Sequence, residues 1–362
     1  LQAQTTKQET LREKQPKTTN TEIDWKDLEP YKENGKYGFR HKKTGKVVIP
    51  VEYDYAKDFS EGLARVGKWV QENGKYGFID KTGKLVIPIE YDDASDFSEC
   101  LARVNKNGEY GFIDKTGKVV IPVEYDDAWD FSEGLARVYK NGKEGFIDKT
   151  GKIVAPIEYG DASDFSEGLA RVYKNDEWGF IDKTGKIVAP IEYDDASDFS
   201  EGLARVKKNG KWGFIDKTGK LVIPIEYDDA SDFSEGLARV EKNGKYGFID
   251  KTGKLVIPIE YDGALDFSEG LAEVQKNGKW GFIDKTGKLV IPFVYDFTFG
   301  FSEGLAKVEK NGKWGFIDKT GKLVIPIEYD WADSFKEGLA NVEKNGEYFY
   351  INKQGVCVKD CP

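Results

Sequence analysis

The sequence predicts an all-β fold: a tandem array of about ten three-stranded antiparallel β-meanders, stacked as an open β-solenoid or superhelix. Three observations carry that expectation. A glycine, most often after Trp or Tyr and before Phe, recurs at 38, 77, 111, 145, 179, 213, 247, 281 and 315; the first interval is 39 residues and every later one is 34. Asn-Gly pairs such as Asn209-Gly210 and Asn243-Gly244 separate runs of alternating polar and apolar residues, the strongest short-range hairpin signal. Each period alone has too little apolar surface for a core, so neighbouring copies must supply the rest.

Taken in order, residues 1–26 are polar, rich in Thr, Lys, Gln and Glu, and expected to be a disordered leader. The opening "LQAQTT" reads as the end of a signal peptide followed by the first mature residues, with Ala3 as the small cleavage-site residue. Residues 27–362 are expected to form one β domain of nine full repeats and a truncated tenth, "NGEYFYINKQG", with Phe349 in the glycine's place. The first copy carries five extra residues, one in "GFRHKKTGK" and four in "VGKWVQENG".

Within the period from Leu237 to Asp262, "LARVEK", "KYGFID" and "LVIPIEYD" are strands. Asn243-Gly244 joins the first two as a type I′ turn, and "KTGK" joins the second and third with its Gly left-handed. In "KWGFID", Trp212 and Phe214 share one face while Gly213 and Ile215 share the other. In "LVIPIEY", alternation puts Leu221, Ile223, Ile225 and Tyr227 on one face. Pro224 has no N–H to donate, which places that strand at a sheet edge. Gly213, with no side chain, predicts close approach of another group. The segment "DASDFSEG" is expected to be a linker that returns the chain, with Phe199, Phe233 and Phe267 plugging the core. The alternative is a closed propeller-like ring. Propeller blades have four strands in about 40–45 residues, and rings about 4–8 blades. The present unit is shorter, its copies are more numerous, and each is complete in its own sequence from "LEPYKE" onward.

Composition narrows the function. Hydrophobic residues make up 39% of the chain and charged residues 33%. No stretch reaches the ~18 apolar residues of a membrane helix. A net charge of −10 argues against a nucleic-acid partner, which draws a basic face. One histidine, His41, no methionine and three cysteines leave no inventory for histidine acid–base chemistry or a His-rich metal site. "NGKWGFIDKTGK" imitates a phosphate loop, but five residues rather than four separate Gly213 and Gly219, and Leu221 follows Lys220. Almost the same words recur at Gly77, Gly111, Gly179, Gly247, Gly281 and Gly315, so it is architecture, and no cofactor is expected. Cys357 and Cys361 would close a small loop in an oxidising compartment; the other reading is two free thiols. Cys100, in "SECLA", replaces the glycine of "SEGLA" as a drifted position.

The segment "NGKWGFIDKTGKLVIPIEYDDASDFSEGLARV" resembles the consensus of bacterial WG, or KWG, repeats, over roughly residues 28–356. Trp-Gly stands at Trp178-Gly179, Trp212-Gly213, Trp280-Gly281 and Trp314-Gly315; elsewhere it is Tyr-Gly, and once Glu144-Gly145. The resemblance implies a β-rich bacterial repeat protein, often exported or surface-associated, and no defined reaction. An extracytoplasmic location is therefore expected. Glu144 argues against a universal role for the Trp ring.

Candidate site residues are those that break the period. Trp129 stands where Ser163, Ser197 and Ser231 stand in other copies, and Leu265 and Phe299 occupy the same column. Copy eight adds Phe293 and Phe297, and copy nine adds Trp331. Side chains that vary over a constant frame, aromatic ones above all, suit contacts with a protein or glycan. For Phe293 the alternative is packing against the C-terminal copy. The acidic linker gathers Asp228, Asp229, Asp232 and Glu235, hard oxygen ligands that calcium accepts. Their spacing fits neither the EF-hand nor the glycine-rich calcium repeat, and turn and capping hydrogen bonds are the preferred reading. Lys211, Lys217 and Lys220 flank the hairpins, either for solubility or as a cationic ladder for an anionic polymer. Carboxylates repeated identically suit catalysis badly, since catalysis needs one environment unlike its twins. The expected function is a non-catalytic, exported repeat protein that presents an extended surface to a protein or envelope glycan. A structural spacer is the second reading and a carboxylate-dependent hydrolase the third.

Overall fold

The computed structural model describes residues 23–70 and 73–361. Residues 1–22 of the expected leader, and Gln71 and Glu72 of the first-copy insertion, lie outside the described residues. The chain divides into two compact units, one up to Val119 and one from Val120. In the first unit a short 3-10 turn, Trp25–Asp27, precedes a three-stranded sheet of Leu28–Glu33, Lys36–His41 and Val47–Tyr53. Trp25, placed in the leader by the sequence, packs against the core around Leu28 and Phe39. A four-stranded sheet follows, from Tyr55–Ser60 to Leu85–Tyr91. The second unit carries seven four-stranded sheets, starting at Asp127, Asp161, Asp195, Asp229, Gly263, Phe297 and Trp331. All are antiparallel, each is separate, and none closes on itself.

One sheet explains the rest. Its strands are Asp195–Ala196, Leu203–Lys208, Lys211–Asp216 and Leu221–Tyr227, hydrogen-bonded in that order. The last three form the expected meander. Asn209 and Gly210 take φ of 53° and 77°, the type I′ geometry that their residue types favour. The Asp216 carboxylate closes the next turn, accepting from the Thr218 amide at 2.8 Å, its hydroxyl at 2.6 Å and the Lys220 amide at 3.1 Å.

The supposed linker contains structure that the sequence reading missed. Asp195–Ala196 is a two-residue fourth strand, paired with Lys207 and Val206. Glu201 and Gly202 then make a second hairpin turn, with φ of 53° and 90°, closed by reciprocal Ser200–Leu203 hydrogen bonds. No Asn marks this turn, so its signal was hidden behind a glutamate.

The edge strand departs from plain alternation. Trp212 pairs with Tyr227 and Phe214 with Ile223, so four residue steps on the edge face two on the central strand. The bulge lies opposite Gly213, where a Cβ would stand 2.6 Å from the Ile223 carbonyl oxygen and 2.8 Å from Ile225 Cα. The chain presses in there because glycine leaves the room. The bulge also corrects the expected face: Ile223 and Tyr227 are buried, Ile225 is half-buried and Leu221 is exposed. Pro224 lies exposed on this edge strand.

Both faces of a sheet are covered by its neighbours. Phe214 packs edge-to-face on Phe233 of the next copy, ring centroids 5.1 Å apart, in a cluster with Tyr227, Val240 and Ile249. Ile215 points the other way, into the cluster of Phe180 and Phe199. No copy has a core of its own.

Candidate ligand-binding site

The site is best seen against the contact that joins ordinary copies. Arg205 donates from Nη1 to the Ala230 carbonyl of the next copy, and its Nε lies 2.8 Å from Asp232 Oδ1. The guanidinium also sits 4.9 Å from the Trp212 ring, which gives the Trp of Trp-Gly a job. At the far end Glu201 accepts from the Gly236 amide at 3.1 Å and pairs with Lys251 at 3.0 Å. The same arginine latch is made by Arg171 to Ala196 and Asp198.

The period-breaking residues cluster on this latch. Glu144 replaces the tryptophan and turns its carboxylate to Arg137 at 3.1 Å. Burial pushes the Glu144 carboxyl up, and Arg137 opposes that. The ring lost there reappears from the other side: Arg137 stacks on Trp129 at 3.7 Å. Trp129, half-buried, thus packs on the latch. In the next altered interface Glu273 replaces the arginine, and buried Thr298, in the alanine column, donates its hydroxyl to the Glu273 carboxylate. Gly300 stands where the partner aspartate would be, and so removes a like charge. Burial raises the Glu273 carboxyl and the Thr298 hydrogen bond lowers it. Leu265 is exposed, and its amide donates to the Glu273 carbonyl.

At the third altered interface a cleft opens. Lys307 replaces the arginine and Ser334 the aspartate, while Asp333 takes the serine position. The buried Lys307 Nζ donates to the Ala332 carbonyl at 2.8 Å and lies 4.1 Å from the Phe299 ring and 4.7 Å from Trp314. Burial lowers its basicity, and the Asp333 charge opposes that. The cleft is about 910 Å³, with Phe299, Lys307, Asp333, Lys336, Asn341 and Tyr350 among its walls.

Of the residues predicted from sequence, Phe299 alone lines this cleft. Phe297 is exposed across from Glu309, and Trp331 stands against Tyr348 at 6.2 Å. Phe293 packs beside Tyr261. Sequence reasoning followed aromatic departures and passed over Lys307, Ser334, Lys336 and Asn341. They break the period just as visibly, in the Arg, Asp, Ser and Arg columns.

The four calcium candidates each have a different partner: Asp228 meets Lys211, Asp229 meets Arg239, Asp232 meets Arg205, and Glu235 meets Lys285. Among the described residues no three Asp, Glu, His or Cys groups converge to hold a metal ion. Of the lysine ladder, Lys211 and Lys217 are in ion pairs, the latter with Glu167 at 2.7 Å, and Lys220 gives its amide to Asp216. Cys357 and Cys361 are joined by a disulfide, and Cys100 is free and exposed. No helix among the described residues is long and apolar enough to cross a membrane.

Discrete antiparallel sheets repeated every 34 residues, latched copy to copy, define a tandem β-repeat protein. The chain belongs to the WG containing repeat family, whose model matches nine times: residues 37–68, 76–110, 110–143, 145–178, 178–212, 212–246, 246–280, 280–314 and 314–348. Among curated proteins none matches the sequence. Solved structures with a similar arrangement include Kluyveromyces lactis Hsv2p, at 10% identity over 54% of this chain and 75% of that one, with a TM-score of 0.33. Another is the V. cholerae biofilm matrix protein Bap1, at 11% identity over 94% of this chain and 77% of that one, with a TM-score of 0.26.

Proposed function

We propose that this chain is a non-catalytic binding protein of the bacterial cell exterior, with its ligand contacts between the last two sheets, Phe297–Tyr329 and Trp331–Lys359. One observation carries the reading. Ordinary interfaces carry an Arg–Asp latch such as Arg205–Asp232, whereas at Lys307 and Ser334 there is a cleft of about 910 Å³. Its size lies within the range of about 300–1,000 Å³ usual for small-ligand pockets. The repeated copies then act as frame, and the departures as recognition surface. A non-catalytic role is favoured because the periodic carboxylates are spent on turns and ion pairs, as Asp216 and Glu201 are. Export is favoured by the Cys357–Cys361 disulfide, a bond that persists in oxidising compartments.

The test is an immobilised panel of peptidoglycan, envelope polysaccharides and envelope proteins probed with the intact chain. Saturable retention of one class is expected. Folded protein retained by none of them ends the binding reading. Fractionation of the producing bacterium tests location: recovery with the envelope or medium is expected, and recovery with cytosolic markers refutes export.

A further inference from the structure

We infer that the cleft between the last two sheets, Phe297–Tyr329 and Trp331–Lys359, binds a neutral oligosaccharide, seated on Phe299 and Tyr350 and hydrogen-bonded by the mixed charged and amide groups around them. This inference rests on the binding function proposed above and names its ligand.

The cleft lies where two side chains of the ordinary latch are replaced. At an ordinary interface the planar guanidinium of Arg205 bridges to Asp232 and occupies the gap. Lys307 keeps the carbonyl contact but has no planar fork, and Ser334 supplies no carboxylate to meet it. The buried ammonium carries three donors, of which Ala332 takes one, so it is poised to give others to a ligand.

The wall chemistry selects the ligand class. Two ammonium groups, Lys307 and Lys336, are matched by two carboxylates, Asp333 and Glu337, so the cleft has no formal net charge. A polyanion would meet the carboxylates, and a polycation the ammoniums. An apolar ligand would bury these groups without hydrogen bonds, which costs free energy. Sugar hydroxyls donate and accept at once, and so can serve Lys, Asp and Asn341 together. Their C–H faces lie well on rings, and Phe299 is 49% exposed while Tyr350 is half-buried. Asp333, Ser334, Lys336 and Glu337 are all exposed, so the rim is open to the interior of a chain and not only to an end.

The sequence supplies its own control variants. Lys307→Arg with Ser334→Asp restores the side chains of the ordinary latch and should place a guanidinium–carboxylate bridge in the cleft. Phe299→Ser restores the residue found at Ser95, Ser163, Ser197 and Ser231 in the same column. Both changes follow the repeat, so both should fold, which thermal melting by circular dichroism checks. Calorimetric titration then uses cellohexaose, xylohexaose and N-acetylchitohexaose as neutral probes, polygalacturonate as the anionic probe and a random decapeptide pool as the peptide probe. We expect at least one neutral hexasaccharide to bind with a Kd of about 1 mM or tighter, and both variants to weaken it by about tenfold or more. Saccharide binding that both variants retain places the site elsewhere and overturns the inference, while the binding function stands. Binding confined to polygalacturonate, with steep salt dependence, or to peptides has the same consequence. No binding to any probe, nor to the envelope panel, overturns both.

Discussion

Gly213 and Trp129 show how one position in a repeat is decided by what lies opposite it. Gly213 faces a bulge whose carbonyl would be 2.6 Å from a Cβ. Gly213→Ala should therefore destabilise the chain by about 1–3 kcal/mol, as overpacking does, measured by urea denaturation. Trp129 supplies the ring that Glu144 withholds from Arg137. Trp129→Ser should cost about 0.5–2 kcal/mol, the range of a cation–π contact. Adding Glu144→Trp, which returns the usual stacking partner, should recover most of that loss. A double-mutant cycle with additive effects would show that the two rings do not substitute for each other. Glu201 adopts φ of 53°, a strained choice for a side chain with a Cβ. Its carboxylate reaches the Gly236 amide and Lys251 of the next copy, contacts that offset the strain.

Between sheets, the arginine latch and its replacements form matched sets. Glu273, Thr298 and Gly300 changed together: a buried acceptor, a new donor and a deleted carboxylate. Burial raises the Glu273 carboxyl above its unfolded value. The folded state then holds its proton more tightly than the unfolded one. This contribution to stability is full below the unfolded value near pH 4.3 and falls away as pH rises through the folded value. Glu273→Gln, which still accepts from Thr298, should gain on the wild type as pH rises through that window, in denaturation at several pH values. A constant difference would mean that the carboxyl is ionised throughout. The turn aspartates act in the opposite sense. Thr218 and Thr252 hydroxyls hold the Asp216 and Asp250 carboxyls below their usual range. Their contribution is present above the unfolded value near pH 3.9 and is lost as pH falls through the lower folded values.

Across the whole chain, matched interfaces restrict which copies can be neighbours. Deleting residues 213–246 removes one period and leaves Arg205 opposite Ala264 and Asp266, residues that Arg239 already meets. That variant should fold, with a smaller urea m-value because less surface is exposed on unfolding. Deleting residues 247–280 also removes one period but leaves Arg239 opposite Thr298 and Gly300, so that the cross-copy carboxylate is lost and only Asp229 of its own copy remains to meet it. It should be less stable than the first deletion by about 1–3 kcal/mol, the range for a hydrogen bond to a charged group. Equal stability would show that the latch contributes nothing to copy order.

The sequence by itself determined the period, the strands of the meander, the Asn-Gly turns, the edge proline and the close approach at Gly213. Each is a local rule: φ at a turn, a missing N–H, a missing Cβ, alternation along a strand. Phe299 was also legible, because it breaks a column. Tertiary structure alone decided the two-residue fourth strand, the Glu-Gly turn and the exposure of Leu221. It also decided that Trp129 packs on Arg137 and that a cleft lies beside Lys307 and Ser334. These outcomes depend on groups about one period away, brought together only when one sheet stacks on the next.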